Sequence, residues 1–332
     1  HWVLPVQKFL KAWLNGDTKF PIQTSGSTGS PKVILLSKSQ MVSSAEATIK
    51  TLKIPKGTRA LLCINASYIG GQMMLVRAII GGWNLELVSP TMDPSAEASG
   101  NPFGFAALVP LQVRAMLDSA RGTALLDRTK CMIIGGATVS EGLIDKLQKV
   151  RSQCFHTFGM TETVSHIGLK ALNGPHRSEW FDVVDGNEIA LDQRGCLKIK
   201  GAVTENHWVV TNDLVQIKGN QFKWLARADL VANSGGIKIF LENLERNINE
   251  LLPEKLQGKL LVWKASDKDL GEKLIGITTN QELLDYIKIN ESKLKENLPP
   301  YHLPKVWLLT TQFTFTESGK IDRPNTYASF ST

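Results

Sequence analysis

Hydrophobic positions in the first two thirds of the chain alternate between short apolar runs and amphipathic segments. The runs have the length of buried strands, and stretches of helical periodicity separate them. Pro110 and Ser140 stand where two of the helices are expected to begin. The pattern predicts a layered α/β domain with largely parallel strands. The predicted strands are 59–64, 85–88, 105–109, 131–134 and 154–158.

The pattern changes near Asn187, where short antiparallel strands are predicted. A hairpin is expected around Asp192–Gly195, and Thr211-Asn212-Asp213 interrupts two further apolar runs. A smaller unit is predicted after Arg227. It contains a helix with Leu241, Leu244, Ile248 and Leu251, a charged helix from about 281 to 297, and three strands. The expected organisation is an α/β core with a β-rich subdomain over residues 1–228, and a small α+β domain over 229–332.

Composition narrows the class of protein. Lys and Arg number 38 against 31 Asp and Glu, a formal net charge of +7 without a dense basic tract, which does not indicate a nucleic-acid partner. No segment is apolar enough to span a membrane, and the N-terminus shows no signal peptide. The four cysteines are scattered without metal-binding spacing. We therefore expect a cytoplasmic enzyme with no stable membrane association; the sequence gives no indication of oligomeric state.

The segment from Thr24 to Lys32 offers hydroxyls, unhindered amides and a terminal lysine, which suit a polyphosphate. It is not a Walker loop, because Pro31 stands where that motif needs its second glycine. A buried strand is predicted directly after it, at 33–36. The alternative is a flexible linker. The full segment is Thr24, Ser25, Gly26, Ser27, Thr28, Gly29, Ser30, Pro31 and Lys32.

Two further segments follow predicted strands, at the sheet edge where α/β proteins bind ligands. Gly135-Gly136-Ala137 could pass close to a flat ligand, or could simply form a tight turn. The other segment is Phe158-Gly159-Met160-Thr161-Glu162-Thr163. Its Phe158 could stack on a base and its Glu162 suits Mg²⁺, whereas the alternative is an ordinary strand-to-helix turn.

Other polar segments lie in the C-terminal half. Asp213 could accept hydrogen bonds from both hydroxyls of a ribose, or belong to a turn. Arg227-Ala228-Asp229 and Gly235-Gly236 suit a hinge or a ligand-contacting backbone, with an ordinary connector as the alternative. Lys320, next to Gly319, could enter a site as a mobile cation or belong to a solvated tail.

Taken together and in this order, these segments resemble the adenylate-forming superfamily of acyl-CoA synthetases, luciferases and adenylation domains. The resemblance extends from Thr24 to Arg323. It implies that MgATP activates a small carboxylic acid to an acyl-adenylate with release of pyrophosphate. A thiol, usually that of coenzyme A, then displaces AMP. ATP, Mg²⁺ and coenzyme A are the implied cofactor and co-substrates.

The resemblance also implies roles for individual residues. Lys320 would bridge the carboxylate and the α-phosphate, with Thr161 near that phosphate and Glu162 on Mg²⁺. The Thr24–Lys32 segment would hold the β- and γ-phosphates. The adenosine would be enclosed by Gly135, Gly136, Ala137, Phe158, Gly159, Met160, Asp213 and Arg227.

A rotation of the small domain is implied between the two half-reactions. Asp229 matches the hinge, and Gly235-Gly236 would reach the thiol side once Lys320 has left. Asn212 and Ala226 replace glycines that are usual in the family, and Phe158 replaces the commoner tyrosine. Only 23 residues precede Thr24, so we expect a compact variant that lacks much of the N-terminal subdomain.

The acid substrate is less sharply indicated. The Phe105–Val113 run and Thr161-Glu162-Thr163-Val164-Ser165 are similar to the o-succinylbenzoate–CoA ligases of menaquinone biosynthesis. The expected acyl pocket includes Tyr68, Gly70, Gly71, Ser165 and His166. Tyr68 stands where the family often has histidine, and His166 could equally be a buried structural histidine. The alternatives are a synthetase for another small acid and a non-catalytic nucleotide-binding homologue.

Overall fold

The computed structural model describes residues 2–23, 33–315 and 321–330. These residues form two compact units, each with its own core. The first holds the N-terminal residues, Val33–Thr211 and Gln216–Trp224, and the second holds Asn212–Val215 and the chain from Leu225 onward. The predicted roles of an ATP-binding core and a mobile domain stay predictions.

The first unit is a mixed α/β structure, as the sequence predicted. Its helices are α1 (Val3–Leu14), α2 (Lys38–Thr51), α3 (Ile69–Gly81), α4 (Pro110–Leu117), α5 (Ala120–Arg128) and α6 (Glu141–Leu147). Its strands are β1 (Lys19–Gln23), β2 (Val33–Ser37), β3 (Arg59–Leu62), β4 (Asn84–Leu87), β5 (Phe105–Leu108), β6 (Cys131–Ile134), β7 (Gln153–Gly159), β8 (His166–Ala171), β9 (Phe181–Val183), β10 (Asn187–Leu191) and β11 (Cys196–Gly201). Strands β12 (Val209–Lys218) and β13 (Gln221–Arg227) cross the boundary between the two units.

One large sheet contains most of these strands, in the order β10-β11-β12-β13-β9-β8-β7-β6-β5-β3-β4. The five strands β4, β3, β5, β6 and β7 pair in parallel, as predicted. From β7 onward the recorded neighbours β8 and β9 pair antiparallel. The parallel half therefore carries the helix-connected pattern, and the later half is built from hairpins such as β10–β11.

Local signals at the helix ends agree with the sequence. Pro110 is the first residue of α4, and the Ser140 side chain caps α6 by accepting a hydrogen bond from the Leu143 amide at 3.4 Å. Helix α2 begins at Lys38, because Ser37 and Gln40 form a reciprocal capping box.

Two strand predictions are wrong. Strand β12 continues through Thr211, Asn212 and Asp213, so this segment is extended and does not interrupt two strands. Strand β2 was expected to be buried throughout, yet Val33 and Leu35 are 67% and 55% exposed while Leu36 is buried. The alternation arises because β1 and β2 form a separate two-stranded sheet with one solvated face.

The core of the first unit lies between the parallel strands and helices α4 to α6. Apolar side chains such as Leu61, Ala106, Ile134 and Leu147 pack there with almost no exposure. All four cysteines are free and buried, and burial raises the pKa of the Cys63, Cys131 and Cys154 thiols to about 12. Among the described residues, no helix is long and apolar enough to cross a bilayer.

The second unit is a smaller α+β structure. Its strands are β14 (Val231–Ser234), β15 (Ile237–Phe240), β16 (Leu260–Asp267), β17 (Gly271–Thr278) and β18 (Val306–Leu309). Its helices are α7 (Leu241–Leu251), α8 (Gln281–Ile289), α9 (Glu291–Asn297) and α10 (Arg323–Ala328). The single helix predicted over 281–297 is therefore two helices that meet at Asn290, whose amide side chain bonds back to the Tyr286 carbonyl.

The sheet of the second unit runs β15-β14-β17-β16, with β18 parallel to β17. Two separate apolar clusters pack on it. The larger cluster joins Leu244 and Ile248 of α7 to Val262 and Leu274 and to helices α8 and α9. The smaller one joins Leu261, Ile275 and Ile277 to Ile321 and Tyr327 near the C-terminus. Alternate residues of β16 thus face different clusters, as the strand period requires.

Candidate functional site

The ends of β6 and β7 bring two predicted segments of the first unit together. The strands are parallel, with Ile134 opposite His156, so Gly135–Ala137 and Phe158 leave the same edge of the sheet. The His156 Nε2 atom lies 3.4 Å from the Ala137 carbonyl oxygen. Adjacent strand ends therefore place these segments side by side, as their positions in the sequence suggested.

Gly135 is required at this edge by the side chain beside it. A Cβ atom at Gly135 would lie 2.0 Å from Thr157 Oγ1, which is far inside van der Waals contact. Gly136 has φ +81°, a conformation that L side chains rarely adopt. The tight turn that was the alternative explanation thus accounts for both glycines, and a role in binding adenine stays a prediction.

Phe158 lies in an aromatic cluster that the sequence did not predict. Its ring meets Phe222 edge-on at 5.0 Å and Phe181 at 5.8 Å between centroids, while Phe181 and Phe222 stack at 5.2 Å. Contacts of this kind fix the ring orientation. Phe158 itself is only half-buried, so part of the ring lies outside the cluster.

His156 also stands at this edge, and sequence reasoning missed it. Burial and the nearby Lys170 cation lower its pKa to about 4, so the ring is neutral at pH 7. Its Nδ1 atom is buried and has no hydrogen-bond partner among the described residues. His156 could have been identified from its position, because a residue two positions before Phe158 on the same strand lies on the same face of the sheet.

A strained turn connects β7 to β8, in place of the strand-to-helix turn considered from the sequence. Residues Thr161–Thr163 form one 3₁₀ turn, and Val164 follows with φ 66° and ψ −56°. These values, with the 2.7 Å bond from the Ser165 amide to the Thr163 carbonyl, define a strained γ-turn. A β-branched residue there is costly, and such strain concentrates at functional sites.

Thr163 holds the turn together, while Glu162 faces outward. The fully buried Thr163 hydroxyl contacts the backbone of Met160 and Ser165, accepting from the Met160 amide at 3.1 Å. Glu162 is exposed and Thr161 is half-buried. No group of three or more potential metal ligands occurs among the described residues. Since Mg²⁺ is usually held by one or two carboxylates together with substrate phosphates, Glu162 still fits the predicted role.

Ser165 and His166 meet a residue that sequence reasoning missed, the buried Arg77 of α3. Arg77 is 1% exposed, and its Nη2 donates to Ser165 Oγ at 2.7 Å and lies 3.5 Å from His166 Nδ1. Its Nε lies 3.4 Å from Thr48 Oγ1. The recorded ion pairs of the described residues include none with Arg77. A lone arginine in the apolar run 73–80 was the available signal.

Hydrogen-bond directions in this cluster follow from proton accounting. The Thr48 hydroxyl donates to the Ser44 carbonyl at 2.9 Å, so it accepts from His166 Nε2 at 3.1 Å. His166 Nδ1 is then an acceptor, and Ser165 Oγ lies 3.4 Å from it. Burial and the Arg77 cation lower the pKa of His166 well below its ordinary value. Arg77 is thus a charged residue whose side-chain partners Thr48, Ser165 and His166 are neutral.

The other predicted acyl-pocket residues lie at the start of α3. Tyr68 precedes the helix and is 59% exposed. Gly71 is packed so closely that a Cβ atom there would lie 2.5 Å from the Asn65 carbonyl oxygen, while one at Gly70 would lie 3.4 Å from Ile64. The close approach of α3 to the loop after β3 explains Gly71, whereas the contact at Gly70 is an ordinary van der Waals distance. The role of both glycines in binding stays a prediction.

Asp213, Arg227 and Asp229 fall in the second unit. Arg227 Nε donates to Asp229 at 3.1 Å, forming a half-exposed ion pair. Burial alone would lower the pKa of Arg227, but hydrogen bonding to Asp229 and the charges of Asp213 and Glu242 raise it. The structure therefore brings Asp213 and the predicted hinge residues into one electrostatic neighbourhood.

Gly235 and Gly236 form the turn of a β-hairpin, so they are not part of an interdomain connector. Ser234 pairs with Ile237, and the two glycines between them have φ +57° and +84°. Two central residues with positive φ are typical of the type I′ turn, which explains both glycines. Their predicted thiol-side role is untested.

The Thr24–Lys32 segment and Lys320 lie outside the described residues. The neighbouring residues are described in both cases. Gln23 pairs with Val33, so the first segment connects two antiparallel strands. Phe315 pairs with Ile321 in an antiparallel bridge, and the residues between them include Lys320.

Comparison with known proteins shows that the chain is an enzyme of the adenylate-forming class. The AMP-binding enzyme model matches residues 13–185, just over half of the chain, and the chain belongs to this family. A solved structure from Dyadobacter fermentans, an acyl-CoA synthetase (AMP-forming)/AMP-acid ligase II-like protein, is 37% identical. The match covers 99% of this chain and 94% of the Dyadobacter chain, with a TM-score of 0.68. The predicted superfamily and fold class are confirmed.

Relatives with named substrates are more distant. The 2-succinylbenzoate–CoA ligase of Staphylococcus epidermidis is 25% identical over 90% of this chain, and the chain spans about two thirds of that ligase, 67%. An o-succinylbenzoate coenzyme A synthetase from Bacillus subtilis, solved with ATP and magnesium, has a TM-score of 0.74 at 20% identity. That match covers 92% of this chain and 69% of the synthetase. At 20% identity, the likeness to the Bacillus subtilis synthetase shows a similar fold only.

Proposed function

We propose that the chain is an AMP-forming acid–CoA ligase that acts on o-succinylbenzoate. The acid carboxylate attacks the α-phosphorus of ATP, and the bond to pyrophosphate breaks. The thiol of coenzyme A then attacks the acyl carbon, and AMP leaves. Membership of the AMP-binding family and the curated relative named for this substrate support the proposal. Free, buried cysteines agree with a reducing cytoplasm.

The observation that carries the choice of acid is Arg77. A buried cation surrounded by neutral partners is expensive, and burial lowers its pKa from 12.5 to about 10. It is still charged at pH 7, so an anion brought to it would regain part of the desolvation cost. o-Succinylbenzoate has two carboxylates, and only one of them is activated. The second carboxylate is the anion that Arg77, together with Ser165, would bind.

The remaining residue roles are carried over from the family motifs and form part of the proposal. Lys320 stabilises the charge that develops at the α-phosphate, and the Thr24–Lys32 segment holds the departing phosphates. Glu162 would hold Mg²⁺, which neutralises phosphate charge. The outward position of Glu162 at the end of a strand supports this role, since the phosphates must approach from solvent.

The two half-reactions are assigned to two orientations of the residue 229–332 domain. Asp229 would act as the hinge, and its ion pair with Arg227 would be one of the contacts that respond to rotation. Gly235 and Gly236 would take the place of Lys320 in the second half-reaction. Their turn exposes backbone without side chains, which suits a passage for a narrow thiol chain.

ATP–pyrophosphate exchange with a panel of acids tests the function. The panel contains o-succinylbenzoate, benzoate as its monocarboxylate counterpart, and small aliphatic acids. We expect exchange with o-succinylbenzoate far above the others. Exchange with other acids alone would select a different acyl- or aryl-CoA synthetase, and no exchange with any acid would favour a non-catalytic nucleotide-binding protein.

A further inference from the structure

A partly buried ion pair in the second unit joins α7 to the chain that follows Lys320. Arg323 Nη2 donates to Glu245 Oε2 at 2.5 Å, and Arg323 Nε lies 3.3 Å from Oε1. The two side chains are only 17% and 15% exposed. A forked contact of this kind fixes both the distance and the plane of the guanidinium.

The same carboxylate also binds the sheet. Glu245 Oε1 accepts a hydrogen bond from the Val262 amide of β16 at 2.6 Å. Glu245 therefore connects three elements, α7, β16 and α10, at one point. Burial raises the pKa of Glu245, and the Arg323 cation and the Val262 amide act in the opposite direction.

The backbone around Arg323 is held at a second point. The Asp322 amide donates to the Thr314 carbonyl at 2.8 Å, and the Thr314 amide donates to Thr326 Oγ1 at 2.9 Å. Together with the Phe315–Ile321 bridge, these bonds close the base of the segment that contains Lys320. The two described ends of the segment are thus held together, and Ile321 also packs in the smaller apolar cluster. Arg323, three positions after Lys320, links this base to α7 and β16 through Glu245.

We propose that Glu245 is a positioning residue for the adenylation step, because it holds Arg323 and so fixes the base of the segment bearing Lys320. The proposal rests on the proposed function, in which Lys320 acts at the α-phosphate. Glu245 does not touch substrate in this role. Misplacement of a catalytic group by about 1 Å can lower the rate about 100-fold. Loss of the contact that holds Arg323, three residues after Lys320, should therefore have a measurable effect on the rate of adenylation.

The second unit offers a matched control in Glu272. Its carboxylate also binds one cation, Lys264 at 3.1 Å, and one backbone amide, that of Asn233 at 2.6 Å. It lies on the β16–β17 hairpin and has no recorded bond to the Lys320 segment. Glu245→Gln and Glu272→Gln therefore remove equivalent interactions, and only the first releases Arg323.

Two measurements on the full chain test the proposal. Glu245→Gln is expected to lower ATP–pyrophosphate exchange by roughly 10- to 100-fold, while thioester formation from supplied acyl-adenylate stays within about twofold. Glu272→Gln should leave exchange within about twofold. Because a merely structural defect would lower both half-reactions together, equal losses in the two half-reactions of Glu245→Gln would overturn the proposal, and so would unchanged exchange.

Limited trypsin digestion gives an answer that does not depend on activity. The Lys320–Ile321 bond is cleavable, whereas Pro324 protects the bond after Arg323. We expect cleavage after Lys320 to be several-fold faster in Glu245→Gln than in the wild type or Glu272→Gln. Equal rates would refute the holding role. If the wild type shows no exchange with any acid, the proposed function fails, and digestion still decides whether Glu245 fixes this segment.

Discussion

Replacement of Arg77 by methionine should separate acid selectivity from folding. Methionine fills a similar volume but cannot donate to a carboxylate. A hydrogen bond to a charged group contributes about 1.5–3 kcal/mol, which corresponds to roughly a 10- to 150-fold loss in kcat/KM. We expect this loss with o-succinylbenzoate. Exchange with benzoate, which lacks the second carboxylate, should change by less than about threefold.

The same substitution should cost little stability. A pKa lowered from 12.5 to about 10 corresponds to about 3 kcal/mol of unfavourable burial of the Arg77 charge. Removing the charge recovers this amount but takes the Arg77 donor from Ser165 Oγ and one of two donors from Thr48 Oγ1, which keeps the bond from His166 Nε2, at a cost of about 1–3 kcal/mol. The unfolding free energy of R77M should therefore equal that of the wild type or exceed it by up to about 2 kcal/mol.

Exchange kinetics with the two acids and urea unfolding provide the assay. Arg59→Met is the matched control, because Arg59 has an acidic partner in Glu86 and a hydroxyl partner in Ser99. R59M should lower stability, since it leaves Glu86 without its cation, and should keep the preference between the two acids. Equal losses with both acids in a stably folded R77M would refute the selective role of Arg77.

Three further results are expected. Because the pKa of His156 is about 4 in the folded protein, only the unfolded state binds a proton at this histidine as pH falls from 7 to 5. The free energy of unfolding should therefore fall by about 2 kcal/mol over this range, and that of H156Q should depend less on pH. Gly135→Ala should destabilise by about 1–3 kcal/mol through contact with Thr157 and weaken AMP binding in calorimetry, whereas Gly142→Ala, with no atom within 4 Å, should not destabilise. Lys320→Ala should lower exchange by about 100-fold or more and spare thioester formation from supplied acyl-adenylate; similar losses in both steps would contradict its assignment.

Local signals in the sequence were sufficient to predict many of the helices and strands. Strand β6 has the predicted bounds, and helix α7 contains the apolar positions predicted for it. Pro110 and Ser140 mark helix starts. These features could be predicted because helical period, strand period and capping depend on neighbouring residues. The order of the motifs along the chain was sufficient for the family, which the match to the AMP-binding model confirms.

Other features depend on distant residues. Asn212 and Asp213 favour turns, yet they lie within β12, since pairing with strands on both sides outweighs local preference. Arg77 meets Ser165 across 88 positions, and its charge becomes informative only because the fold surrounds it with neutral partners. Glu245 and Arg323 are separated by 78 positions and meet because α7 and α10 both contact β16. The sequence by itself determined the elements and the family chemistry, whereas burial and long-range pairing, which only the tertiary structure decides, select the charges that can act.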